Sequence, residues 1–128
     1  MEVDYDIHGR ANSRLAWLNT FVSLKSAAEP VDFNSVIAEI LDGISQELLT
    51  GGHEIGHLKV YAVSGADYAK AGVTSSGEMV SFNKRMDVPA EKVNLILNAR
   101  IEVDEKELAE ITKSVSGKVF EKFGLEEI

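Results

Sequence analysis

Polar and apolar positions alternate along much of this chain, and where they stop alternating they recur at spacings of three and four. Val3, Tyr5 and Ile7 alternate with acidic and polar residues, then His8 to Ser13 reads as a turn. The run rich in β-formers from Leu15 to Leu24 predicts a second strand. Glu29-Pro30 breaks that pattern. From there Phe33, Val36, Ile37, Ile40, Leu41, Ile44, Leu48 and Leu49 mark the stripe of an amphipathic helix, with Asp32 as its N-cap and Gly51-Gly52 as its stop.

Beyond the stop, Leu58, Val60 and Ala62 alternate with His57, Lys59 and Tyr61, which predicts a strand from Ile55 to Val63. Ser64 to Asp67 is turn chemistry, Ala71 to Ser75 is a candidate short strand, and Ser76-Gly77-Glu78 turns into a strand at Met79 to Met86. Val93, Leu95, Leu97, Ala99, Ile101 and Val103 give the clearest two-residue period, with Ile96 its one exception. Asp104 and Glu107 have the spacing of a capping box. The helix they open carries Leu108, Ile111, Val115, Val119, Phe120 and Phe123 and closes at Gly124, before Leu125.

The expectation is one α+β domain over residues 1–128 in the order β-β-α-β-β-β-α, with Ala71 to Ser75 as a further candidate strand. A mostly antiparallel sheet would have two helices on one face, a ferredoxin-like sandwich in character. If the first helix joins two parallel strands, its crossover should be right-handed.

Composition narrows the function classes. The 128 residues are 45% hydrophobic, enough for one core and too few for two. A net charge of -8 leaves no long-range attraction to nucleic acid or anionic membrane, and neither is expected as a partner. The acidic N-terminus and the absence of a long apolar run point to a cytoplasmic protein. Without cysteine, thiolate catalysis and Cys-ligated metals are excluded. A metal would need His and carboxylate ligands.

One string invites that reading. His53-Glu54-Ile55-Gly56-His57 matches the zinc-hydrolase signature, in which a helix places two imidazoles one turn apart and the Glu activates a metal-bound water. On a helix those residues lie about 6 Å apart; on a strand they lie about 13 Å apart and cannot share one zinc. Glycine-glycine before the string and the β-forming run after it both oppose a helix, so zinc is only the alternative cofactor. The metallopeptidase built on His53 and His57 is the alternative function, with Glu78 or His8 as third ligand. Asp4, Asp6 and His8, alternating on the first strand, read as a solvated edge. Gly117-Lys118 falls inside the last helix and makes no phosphate loop. No nucleophile-elbow string exists, and no catalytic residue is assigned.

Splitting the strands by parity gives a different candidate. If Ala16, Leu18, Val22, Leu58, Val60 and Ala62 face the helices, the opposite face collects Trp17, Asn19, Phe21, His57, Lys59, Tyr61, Asn98 and Arg100. An aromatic and basic surface on an acidic chain suits a partner protein or a second copy, and after those a small-molecule ligand.

Three stretches also carry a family likeness: Ala16-Trp17-Leu18-Asn19, Glu54-Ile55-Gly56-His57-Leu58-Lys59-Val60-Tyr61, and Leu97-Asn98-Ala99-Arg100-Ile101. Together they resemble the C-terminal region of CobW-type GTPases. The resemblance implies an α+β accessory domain working beside a metal- or cobalamin-related GTPase. The GTPase part and its phosphate loop are absent from this sequence, so no activity is carried over. The expected function is a non-catalytic binding domain, homo-oligomeric or bound to a partner, that acts through the open sheet face.

Overall fold

The structure is a computed structural model that describes residues 4–10, 13–73 and 79–128, with side chains from residue 15 onward. Its elements are β1 (Asp4–Arg10), β2 (Ser13–Ser26), α1 (Phe33–Thr50), β3 (Ile55–Ser64), β4 (Asp67–Val73), β5 (Ser81–Lys84), β6 (Lys92–Glu102), α2 (Glu105–Lys122) and β7 (Leu125–Glu127). The expected start of the first strand at Val3, the turn at Ser76-Gly77-Glu78 and the end of the short strand at Thr74-Ser75 lie outside the described residues. So does Glu78 as a metal ligand, and nothing bears on the side chains of Asp4, Asp6 and His8.

The fold is α+β, as the periodicity predicts. Among the described residues the sheet has seven strands, in the order β1-β2-β6-β3-β4-β5, with β7 also paired to β2. Every pairing is antiparallel. Because β6 lies between β2 and β3 and runs against both, those two strands are parallel to each other and α1 joins them across β6. This is the split β-α-β arrangement of a ferredoxin-like sandwich. The elements differ from expectation at two places. Four strands separate the helices once the candidate short strand is counted; as β4 it begins earlier than expected, at Asp67, two residues after Gly65 (φ 61°) reverses the chain. A short β7 follows α2, placed on the β2 edge by the Gly124 turn (φ 65°).

Side-chain size and sheet parity place the core on one face. Leu18, Leu24, Leu58, Leu95, Leu97 and Ile101 are fully buried on the sheet side, and Phe33, Ile37, Ile40, Leu41, Ile44 and Leu48 of α1 pack onto them. Asp32 caps α1 by accepting from the Asn34 N–H at 3.0 Å. The Asn34 amide pins the β5–β6 connection, receiving the Met86 N–H at 2.8 Å and donating to the Met86 carbonyl at 3.0 Å. In α2 the buried line runs through Leu108, Thr112, Ser116, Val119 and Phe120, whereas Ile111, Val115 and Phe123 are only partly covered. Thr112 and Ser116 escape a reading by apolar residues because their position toward α1 and the sheet, not their chemistry, buries them.

Asp67 ties the far end of the sheet together. Its carboxylate accepts from the Asp87 N–H at 2.8 Å, the Lys84 ammonium at 3.1 Å and the Tyr68 N–H at 2.9 Å. The Asp87 amide first, and Lys84 after it, hold the Asp67 carboxyl below the ordinary value of 3.8. A depressed folded-state pKa adds stability above the unfolded value and loses it as pH falls through the folded one. Wild-type stability should therefore drop as pH falls below 3.8, in a segment of the titration that Asp67→Asn lacks. Urea unfolding across pH 2 to 6 reads this (a range set by the acid limb of linkage, about where carboxylates titrate); parallel curves for the two proteins would refute it.

Candidate functional site

The register assembles the open face row by row. Directly paired residues of an antiparallel sheet share a face, with side chains about 5 Å apart. Trp17, Arg100 and His57 form one row across β2, β6 and β3. Asn19, Asn98 and Lys59 form the next, and Phe21, Ile96 and Tyr61 the third. Lys70 of β4 extends the third row beside Tyr61. The seven residues singled out from the sequence, Trp17, Asn19, His57, Lys59, Tyr61, Asn98 and Arg100, thus lie on one surface opposite the helices.

Ile96 completes that surface. Its apparent break in the β6 period has a position to explain it, since it fills the middle of the apolar row between Phe21 and Tyr61. The sequence signal was there, as an aliphatic residue on the polar parity of a strand.

The aromatic groups are well exposed, Trp17 by 45% and Phe21 by 48%. The Arg100 guanidinium lies over the Trp17 ring at 4.9 Å and the Lys70 ammonium over Tyr61 at 5.2 Å. Such contacts leave the cation's hydrogen-bonding capacity free while fixing where it sits. Among the described residues, no hydrogen bond or ion pair engages the side chains of Arg100, Lys59, Asn19 or Asn98. Lys25, at the end of β2, has Glu126 at 4.0 Å. Glu102 lies two residues beyond Arg100 along β6.

His57 reaches this face through a bulge. Ile55 pairs with Ile101 while His57 pairs with Arg100, so Gly56 is the extra residue. Two residues apart on a regular strand share a face, yet Ile55 is 4% exposed in the core and His57 is exposed on the open side. Glycine is required there by proximity, because a Cβ would stand 2.6 Å from the Arg100 carbonyl oxygen.

The metal-binding reading of the His53 string needs a helix, and the chain does not supply one. α1 ends before it, Gly52 turns with φ 80°, and the His53 N–H closes the end by donating to the Leu48 carbonyl at 2.9 Å. His53 stays in the helix layer, its Nε2 2.8 Å from Glu107 Oε2. His57 emerges on the opposite side of the sheet. Among the described residues no group of three or more His, Asp or Glu is placed to hold a metal ion. Glu107 is also only half of the expected capping box. The Asp104 side chain accepts from the Glu107 N–H at 3.4 Å, but the Glu107 carboxylate is turned to His53.

No family model, curated protein or solved structure matches the chain. What the open face does has to follow from its own residues. No helix among the described residues is long and apolar enough to cross a membrane.

Proposed function

We propose that this chain is a non-catalytic binding domain that engages its partner through the open sheet face around Trp17, Asn19, His57, Lys59, Tyr61, Asn98 and Arg100. The observation that carries this reading is the convergence, on the sheet face the helices leave uncovered, of exposed aromatics and of hydrogen-bond donors that have no partner among the described residues. Large amphipathic side chains held on rigid strands lose little freedom on binding, which is why aromatics and arginine concentrate at the centres of interfaces.

The setting we propose is an accessory domain beside a metal- or cobalamin-supplying GTPase. What supports it is the resemblance in three stretches, and these fall on β2, β3 and β6, the strands that build the middle of the face. A screen of small-molecule fragments against the isotope-labelled chain tests the binding face. Saturable shifts should cluster at the Trp17 indole and the Asn19, Asn98 and Arg100 side chains. Shifts confined to the helix layer would sink the proposal. Sedimentation of the same sample reads self-association, the homo-oligomer expected from the sequence.

A further inference from the structure

We infer that the occupant of the open face is an extended acidic segment of a partner protein, with carboxylates at alternate positions followed by an aromatic or aliphatic side chain. This rests on the binding role proposed above and names the chemistry of the partner.

Charge is the first argument. The whole chain carries -8, yet across β6, β3 and β4 the open face presents Arg100, Lys59 and Lys70 with no carboxylate paired beside them, whereas Asp4 and Asp6 are in register with Phe21 and Asn19 on its β1 side. Two copies packed through the β6–β3–β4 part of the face would set arginine and lysine against like charge, which disfavours a second copy there. An acidic partner meets no such conflict locally.

Spacing is the second argument. Alternate residues of an extended segment are about 7 Å apart, the same as successive rows along β6. The row of Arg100 is flanked by Trp17 and His57, the next offers the Lys59 ammonium and the Asn19 and Asn98 amides, and the third is the apolar Phe21-Ile96-Tyr61 strip. A segment of the pattern acid-x-acid-x-apolar, lying along β6, therefore finds a matching row under each side chain. Arginine steadied by an aromatic ring is suited to a planar carboxylate. A phosphate-rich polymer has the charge for the cations of this face and nothing for the apolar Phe21-Ile96-Tyr61 strip.

The test starts from a random dodecapeptide library, a length of about 40 Å when extended, selected in parallel on the full chain and on Arg100→Gln/Lys59→Gln. The most enriched peptide is synthesised and titrated into the labelled chain. Expected are acidic peptides with an aromatic or aliphatic residue, shifts at the Asn19 and Asn98 amides, and a change in emission from Trp17, the sole tryptophan. Affinity should fall at least about ten-fold for the double variant, and equally when the peptide's Glu residues become Gln, consistent with charge-assisted contacts. Lys118→Gln, on the exposed side of α2, should leave it unchanged. Enrichment of neutral or basic peptides that still map to the face would overturn the acidic partner and leave the binding face standing. Trp17 burial in a concentration-dependent dimer, or on phosphatidylserine vesicles but not with peptide, would overturn it likewise. Shifts that avoid the face altogether would overturn both.

Discussion

Gly56→Ala is expected to lower folding stability by about 2–3 kcal/mol, the usual cost of forcing an atom into a filled space. The added methyl would sit 2.6 Å from the Arg100 carbonyl oxygen, and that oxygen belongs to the backbone of the central strand β6. A side chain can rotate away from such a contact. At Gly43 of α1 the neighbour is a Val115 methyl, also at 2.6 Å, which truncation of Val115 would remove. At Gly56 relief requires β3 to separate from β6, loosening the bulge that sends Ile55 inward and His57 outward. Stability and the open face should therefore suffer together. The midpoint of urea unfolding and the amide shifts of His57, Lys59 and Arg100 check this. A variant within about 0.5 kcal/mol of wild type, the ordinary spread for harmless surface changes, would show that the bulge gives way easily.

The second large effect separates folding from binding on neighbouring residues of one strand. Leu97 is buried in the core at the centre of the sheet, and Leu97→Ala should cost about 2–5 kcal/mol through lost burial and the cavity left behind. In a chain of this size that corresponds to a fall in Tm of roughly 10 °C or more. Asn98 points the other way, and its side chain has no hydrogen-bonding partner among the described residues. Asn98→Ala should stay within about 1 kcal/mol of wild type in stability while weakening the peptide identified by selection. Thermal unfolding and the peptide titration, run on both variants, give the comparison. If Asn98→Ala proved as destabilising as Leu97→Ala, the open face would be a structural layer and not a free surface.

Much of this was legible in the sequence because its signals are local. The ends of α1 follow from Asp32 and Gly51-Gly52, whose chemistry acts within one helical turn. The partition of β2, β3 and β6 into two faces follows from the alternation of side chains along each strand. That alternation gave the candidate surface residue by residue, and the same β-strand reading separates His53 from His57.

The residues that resisted prediction depend on contacts between segments far apart in the chain. Nothing near Gly56 in the sequence says that one residue is left out of the ladder; the bulge exists because Ile55 meets Ile101 while His57 meets Arg100, more than forty positions away. Ile96 looks like a break in the period until Phe21 and Tyr61 flank it. Glu107 has the spacing of a capping box, but the end of α1 offers it His53 instead. The sequence by itself determined the α+β class, the helix limits and which side chains share a strand face, since these rest on backbone geometry within a few residues. Only the tertiary structure decided the strand order, and with it the rows of the open face, because a strand's neighbours are chosen by pairing and burial across the whole chain.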